Sequence, residues 1–326
     1  MSSPLHTPTG AALADHRTGP DSAADRRHGS EQLACQPDAM HPAPFAKIAD
    51  VARFTAVARS SGGVSAAAVE TLVVLPVYNE AVIAERSVAR IADFARRHPG
   101  MAFVFADDGS RDDTARIIRA CVDAIIARDP SLAPRLSFLA GGINRGKAGI
   151  LRHTLEALTG PLDQPARPGS PDRFVFIDGD LAYAPEHLLE MARGLNNFDV
   201  VIGSRHMSEA GRGPQGLLRT LLGVGFNTLS RICLRRAYRD TQAGLKGFRM
   251  AAAREIFRRL TICDFSFDVE LLFIARKRQF SIAEMPAEVD AEHRQTPSSV
   301  KLFRDPPRMF LSLLRIRLNA WRGVYR

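Results

Sequence analysis

Two aspartates separated by one glycine, Asp178 and Asp180, are the residues whose types and spacing most directly suggest chemistry. They follow four apolar residues, 174–177, that predict a buried strand. Side chains at alternate strand positions point the same way, so the two carboxylates are expected to converge if the extended geometry persists. Convergent carboxylates suit a hard divalent cation, Mg²⁺ or Mn²⁺, that also takes oxygens from a diphosphate. The alternative interpretation is an acidic turn at the end of a strand.

Three further polar clusters follow predicted strands in the same way. The apolar stretches 71–77, 101–106 and 135–140 predict buried strands, with helical patterns between them. The clusters that follow them are Tyr78-Asn79-Glu80, Asp107-Asp108 and Asn144-Arg145-Gly146-Lys147. Alternating strands and helices predict an α/β fold, a mostly parallel sheet with helices on both faces, and ligands bind at the carboxyl ends of such strands. All four clusters are therefore expected along one edge of the sheet, where a nucleotide would bind.

The composition is that of a soluble globular protein, with 45% apolar and 24% charged residues among 326. No apolar run reaches the roughly 18 residues that span a bilayer, and no N-terminal segment has the pattern of a signal peptide. The four cysteines are scattered without metal-site or redox spacing. These features together predict a cytoplasmic protein.

The net charge of +9 is unevenly distributed along the chain. Residues 205–326 hold 23 Lys and Arg against 11 Asp and Glu, a net of +12, which leaves −3 for residues 1–204. Such asymmetry predicts an anionic partner for the second half, either nucleic acid, anionic lipid or a phosphorylated substrate. Nucleic acid is disfavoured because the basic segments lack interleaved aromatic residues.

The chain is expected to divide into a tail and one folded domain. Residues 1–69 are rich in polar residues, Pro and Gly, which predicts a disordered N-terminal tail and linker. Residues 70–326 are predicted to form the domain, which ends in an amphipathic helix at 305–321. That helix carries apolar residues at helical spacing with arginines among them, a pattern that suits either a membrane interface or packing on the sheet.

The polar clusters, taken in order, resemble the signatures of inverting family 2 glycosyltransferases with the GT-A fold, a Rossmann-like fold that binds nucleotide-diphospho-sugars. The resemblance covers about residues 70–320. Two later motifs narrow the resemblance to one group within this family. They are Gly203-Ser204-Arg205 and Asp240-Thr241-Gln242-Ala243-Gly244-Leu245-Lys246. These motifs are similar to those of polyprenyl-phosphate sugar transferases, especially the dolichyl-phosphate glucosyltransferase branch.

On the donor side, the resemblance implies a role for each motif. Asp178 and Asp180 would hold the metal, Mg²⁺ or Mn²⁺, and the donor diphosphate. Ala182 occupies the place where mannosyltransferase relatives often carry a further Gln ligand, which favours the glucosyl branch. The remaining donor residues would be Pro76, Tyr78 and Glu80 around the nucleobase and ribose, Asp108 as acceptor of a hydrogen bond from the base, and Lys147 near the nucleotide.

On the acceptor side, the resemblance implies that Arg205 and Arg219 grip a phosphate, while Asp240 and Gln242 shape the sugar side of the site. Arginine is the usual planar, bidentate partner of a phosphate. An acceptor phosphate is already anionic and needs orientation more than a strong base. A sugar hydroxyl would instead require a carboxylate base, for which Asp240, Asp268 and Glu270 are the candidates.

The expected function is therefore transfer of a hexose, glucose from UDP-glucose, to a polyprenyl phosphate with inversion. The protein would be metal-dependent and cytoplasmic, with a possible peripheral contact to the membrane. A second interpretation is a family 2 transferase that acts on a sugar hydroxyl in glycan or glycolipid synthesis. A third is a non-catalytic basic module that binds anionic partners, although the intact acidic cluster argues against it.

Overall fold

The structure is a computed structural model that describes residues 69–207, 234, 238–263, 266–289 and 305–326. The predicted tail therefore lies outside the described residues, apart from residue 69. Arg219 also lies outside them, together with most of the basic segment around it.

The described residues form one seven-stranded sheet in the order β3-β2-β1-β4-β6-β5-β7. Strands β3, β2, β1 and β4 pair in parallel, as do β5 and β7, whereas β6 runs antiparallel to both of its neighbours. The predicted mostly parallel sheet is confirmed. The strands are β1 Thr71–Val77, β2 Met101–Asp107, β3 Leu136–Ala140, β4 Arg173–Ile177, β5 Val200–Ser204, β6 Leu245–Arg249 and β7 Ile282–Pro286.

Seven α-helices lie in the part of the chain that the structure describes. They are α1 Ala81–Arg97, α2 Thr114–Arg128, α3 Gly146–Thr159, α4 His187–Gly194, α5 Met250–Arg259, α6 Phe267–Lys277 and α7 Asp305–Trp321. The sequence pattern predicts helices between the first strands and at 305–321, and the structure confirms them, but the pattern gave no prediction for α5. That helix follows β6 without a turn, so no Gly, Pro or polar loop marks where the strand ends and the helix begins.

Helices cover both faces of the sheet, and alternate residues of each strand point to opposite layers. Val73 and Leu75 of β1 belong to a cluster with α1, α2 and α4. Leu72 and Val74 belong to the other cluster, with α3, α5, α6 and α7. Both layers are buried, which explains why the central strands are apolar throughout rather than alternating. The GT-A-like α/β architecture expected from the sequence is thus present.

Two observations bear on the environment of the protein. No helix among the described residues is both long and apolar enough to cross a bilayer. Within the same residues Cys121 is a free thiol, whereas Cys263 is disulfide-bonded. The scattered cysteine spacing did not predict that bond.

Candidate active site

The polar clusters converge because of how the strands are ordered. Strands β3, β2, β1 and β4 are parallel neighbours, so the loops that follow them leave the same edge of the sheet. Strand β6 is antiparallel to β4, which brings the residues that precede it, 240–244, to that same edge. The Asp240–Gly244 motif therefore meets the Asp178–Asp180 motif directly. The sequence placed each motif next to a strand but did not indicate that β6 is reversed.

The chain turns at Asp178 instead of remaining extended, which corrects the strand geometry assumed above. Strand β4 ends at Ile177, and the Leu181 N–H donates to the Asp178 carbonyl at 3.0 Å. Leu181 adopts a positive φ of 52°, an uncommon conformation for a residue with a side chain. The Ala182 N–H then donates to Asp180 Oδ1 at 3.0 Å. Both carboxylates are therefore held by a tight turn at the sheet edge.

Two glycines allow this turn to sit close to its neighbours. A Cβ on Gly179 would overlap Val77 and lie 2.9 Å from the Pro76 carbonyl oxygen and 3.0 Å from Glu80 Oε2. A Cβ on Gly244 would overlap the carboxylate of Asp178, whose backbone N–H donates to the Gly244 carbonyl at 3.0 Å. The requirement for glycine at position 244 comes from the antiparallel pairing of β6 with β4.

Glu80 faces the two aspartates from the loop after β1. Burial, together with the charges of Asp180 and Asp178, raises the pKa of Glu80 to about 8. Its Oε2 atom is buried and accepts no hydrogen bond. Three carboxyl groups thus share one small region, and Glu80 keeps its proton at neutral pH unless a positive group compensates its charge.

Lys147, at the start of α3, supplies one positive charge to this region. Its ammonium contacts Asp178 Oδ1 and lies 5.2 Å from the centroid of the Phe176 ring. Burial alone would lower the pKa of Lys147, but the carboxylates of Asp178, Asp268 and Asp180 outweigh that effect and raise it. The lysine therefore remains charged beside the acidic cluster.

The acidic cluster also fits a divalent cation. No group of three or more metal-ligating side chains among the described residues is arranged to hold an ion alone. Mg²⁺ typically takes one or two carboxylates and completes its shell with substrate phosphates and water. Asp178 and Asp180 provide two such carboxylates, and a cation would relieve the repulsion that adds to burial in raising the pKa of Glu80.

The loops after β1 and β2 are joined by hydrogen bonds that position Glu80 and Tyr78. The Glu80 N–H donates to Thr114 Oγ1 at 2.7 Å, and the Asn79 N–H donates to Ser110 Oγ at 3.0 Å. Asn79 has a positive φ of 53°, and its Oδ1 accepts from the Arg111 N–H at 2.8 Å. Tyr78 is left 37% exposed at the edge of the site, where it is open to a ligand.

Asp108 performs a structural task in addition to any contact with a nucleobase. Its Oδ1 accepts a hydrogen bond of 2.7 Å from the backbone N–H of Arg145, at the N-terminus of α3. Burial raises the pKa of Asp108 to about 6, against the opposing effect of hydrogen bonds from the Arg145 and Gly146 backbone. The carboxylate thereby fixes the turn that delivers Lys147.

Arg205 and Asp240 form a bidentate ion pair. Arg205 Nε and Nη2 donate to Asp240 Oδ2 and Oδ1 at 2.6 and 3.0 Å, and the Arg205 N–H donates to Oδ2 at 3.2 Å. The Gln242 N–H donates to Oδ1 at 3.2 Å. Asp240 is buried, whereas the arginine side chain is 41% exposed. The resemblance assigned Arg205 to the acceptor phosphate and Asp240 to the sugar side, whereas in the structure the two side chains form one ion pair.

The two remaining candidate bases are buried in separate networks. Asp268 Oδ1 accepts from the fully buried ammonium of Lys246 at 2.6 Å. Glu270 accepts four hydrogen bonds, from the backbone of Thr261 and Ile262 and from the hydroxyls of Thr261 and Tyr325. Neither carboxylate is available to take a proton from a hydroxyl.

The structure thus brings some of the predicted site residues together at one edge of the sheet, but not all of them. Glu80, Lys147, Asp178 and Asp180 are brought together. Pro76 is buried within β1 and presents its carbonyl to Gly179. Arg219 lies outside the described residues, so its proposed place beside Arg205 stays a prediction.

Comparison with known proteins agrees with this arrangement. Residues 72–257 match the glycosyl transferase family 2 domain. A dolichyl-phosphate beta-glucosyltransferase of Trichomonas vaginalis is 29% identical over 68% of this chain and 64% of its own length. Glycosyltransferase AglD of Haloferax volcanii is 31% identical over 79% of this chain but only 38% of its own length. The chain therefore spans less than two thirds of either relative.

A solved structure shares the fold. Glucosyl-3-phosphoglycerate synthase of Mycobacterium tuberculosis, in complex with Mn²⁺, UDP and phosphoglyceric acid, superposes with a TM-score of 0.50 at 18% identity. The match covers 86% of this chain and 84% of that structure. The domain match spans more than half of the sequence and contains the acidic cluster, and on that basis the chain belongs to glycosyl transferase family 2.

Proposed function

We propose that this protein transfers glucose from UDP-glucose to the phosphate of a polyprenyl phosphate, with inversion at the anomeric carbon. One observation carries the choice of acceptor. Each of the three carboxylates named from the sequence as candidate bases for a hydroxyl acceptor, Asp240, Asp268 and Glu270, is engaged by a cation or by several donors. An anionic phosphate needs no such base, so the site suits a phosphate better than a hydroxyl.

The donor is inferred from the acidic cluster and from the similar proteins. The structure of glucosyl-3-phosphoglycerate synthase contains Mn²⁺ and UDP, and the relative from Trichomonas vaginalis is named for glucosyl transfer to dolichyl phosphate. In the present chain Asp178 and Asp180 would hold Mg²⁺ or Mn²⁺, which stabilises the charge that develops on the departing diphosphate. Lys147 lies where it would add a second positive charge.

The reaction is a single displacement. An oxygen of the acceptor phosphate forms a bond to the anomeric carbon from one face, while the bond from that carbon to the diphosphate breaks on the other. The electron pair leaves with UDP, and no proton has to be removed from the nucleophile. Arg205 would orient the acceptor phosphate with its guanidinium charge, and the bidentate pair with Asp240 holds the guanidinium in position.

We further propose that α7 contacts the cytoplasmic surface of a membrane, where a polyprenyl phosphate would be embedded. One side of this helix packs on the domain through the buried residues Leu313 and Ile316. The other side exposes Leu311, Leu314, Leu318 and Trp321, the last 83% exposed. Exposed arginines at 315, 317 and 322 complement anionic head groups. The two interpretations of this helix, packing on the sheet and contact with a membrane interface, are therefore compatible.

The decisive experiment measures UDP release from UDP-glucose with and without a polyprenyl phosphate, and compares soluble sugars as acceptors. Release that depends on the lipid phosphate is expected. Arg205→Lys keeps a cation beside Asp240 but loses the bidentate pair, so transfer to the lipid should fall while UDP binding persists. Arg128→Lys, on an exposed surface of α2, is the matched control. Equal release with sugar hydroxyls, or unchanged transfer by Arg205→Lys, would contradict the assignment.

A further inference from the structure

A buried ion pair between Lys246 and Asp268 lies directly beneath the site. The Lys246 ammonium is fully buried and sits 2.6 Å from Asp268 Oδ1. The same ammonium donates to the Ala243 carbonyl at 2.6 Å. Burying two charges is costly, and apolar residues of similar size often stabilise a fold equally well or better. The fold alone therefore does not explain why this pair is present.

The first link from the pair to the site runs through the backbone of the 240–244 segment. Lys246 fixes the Ala243 carbonyl, and the next residue, Gly244, is the one on which the Asp178 carboxylate rests. The Gly244 carbonyl also accepts the Asp178 N–H at 3.0 Å. A shift of the 243–244 peptide would consequently move Asp178 itself.

The second link is electrostatic and involves Lys147. The ammonium groups of Lys147 and Lys246 lie 5.2 and 5.7 Å from the centroid of the same ring, that of Phe176. The Asp268 carboxylate is among the charges that raise the pKa of Lys147. Two lysines thus lie near one aromatic ring, each in contact with one aspartate, and Asp268 compensates the repulsion between the lysines.

We propose that Lys246 and Asp268 are positioning residues that hold Asp178 and Lys147 in the geometry needed for the nucleotide diphosphate and its cation. They act through the Gly244 contact and through the charge of Asp268, without touching substrate. The inference rests on the proposed function only in assigning Asp178 and Lys147 to the donor. It requires no particular acceptor.

The test replaces the whole pair, Lys246→Met with Asp268→Leu, so that no buried charge is left alone. Thermal stability is expected to stay close to that of the wild type. The affinity for UDP in the presence of Mn²⁺, measured by calorimetry, is expected to fall by about 10–100-fold, as for other groups that orient metal ligands. Lys246→Gln with Asp268→Asn, which removes both charges but keeps polar groups of similar size, should weaken binding in the same direction and serves if the apolar double variant does not fold.

Glu270→Gln is the matched control, because Glu270 is a buried carboxylate on the same helix that accepts hydrogen bonds from Thr261, Ile262 and Tyr325 instead of pairing with a lysine of the site. It should lower thermal stability and leave UDP affinity unchanged. Wild-type UDP affinity in a folded variant of the pair would overturn the proposal, as would an equal loss in Glu270→Gln. A wild-type protein that binds UDP but does not transfer glucose to lipid phosphate would instead overturn only the proposed acceptor.

Discussion

The carboxylate of Asp178 rests against the Cα atom of Gly244, across the antiparallel pair that β4 and β6 form. A Cβ at Gly244 would overlap Oδ2 of Asp178 and lie 2.9 Å from its Oδ1. The backbone of Gly244 also accepts the Asp178 N–H. A motif more than sixty residues along the chain therefore determines where this carboxylate can lie.

Gly244→Ala is expected to displace Asp178 and lower turnover on the order of 10²-fold, as misplacement by about 1 Å can do. Gly244 does not have a positive φ, so the substitution acts through the carboxylate rather than through backbone strain. Steady-state kinetics and Mn²⁺-dependent UDP binding measure the effect. Gly100→Ala is the control, because a Cβ there would meet nothing within 4 Å. Equal activity of the two variants would show that the contact is unimportant.

Asp180→Asn is expected to nearly abolish turnover while the protein remains folded. Loss of one anionic ligand leaves the charge on the departing diphosphate poorly neutralised. Turnover is measured with Mn²⁺ or Mg²⁺ and again in excess EDTA, with thermal unfolding as the test of folding. Asp123→Asn, an exposed acid on α2, is the control. Full activity of the wild type in EDTA would exclude the metal role.

Glu80 should make the stability of the ligand-free protein fall as pH rises. Its pKa is raised from 4.5 to about 8, so between these values the folded state keeps a proton that the unfolded chain has released. The free energy of unfolding should therefore decrease with pH across this window, by at most about 1.4 kcal/mol per unit, and level off above it. Urea unfolding at several pH values tests this, and Glu80→Gln should flatten the profile. Parallel profiles for the two proteins would refute the assignment.

Two substitutions at Asp108 separate its structural role from its proposed contact with the nucleobase. Asp108→Ala removes the acceptor of the Arg145 N–H and should lower the free energy of unfolding by about 1–3 kcal/mol. Asp108→Asn keeps an acceptor at that position and should lose less stability. If the carboxylate also reads the base, both variants should raise the KM for UDP-glucose and relax the preference over GDP-glucose. An unchanged preference in the Asn variant would leave Asp108 with the structural role alone.

The sequence predicted the parallel strands and the clusters after them because both depend on local pattern. Apolar runs such as 71–77 are bounded by polar loops, and parallel order places those loops together. The reversal of β6 depends on which strands pair, which local pattern does not encode. The Arg205–Asp240 pair and the contact between Gly244 and Asp178 both follow from that reversal, so the motifs were identified while their mutual contacts were not.

The exposed side of α7 offers a test of membrane contact with an intrinsic probe, because Trp321 is the one tryptophan in the chain. If this side enters a membrane interface, anionic vesicles should shift Trp321 emission to shorter wavelength, and added salt should weaken the binding. Leu314→Gln with Leu318→Gln should reduce binding without lowering thermal stability, since both side chains are about half exposed. Phe198→Gln removes an exposed apolar side chain elsewhere and serves as the control. Unaltered Trp321 emission at saturating lipid, or full binding by the double variant, would mean that α7 is not the membrane-contacting surface.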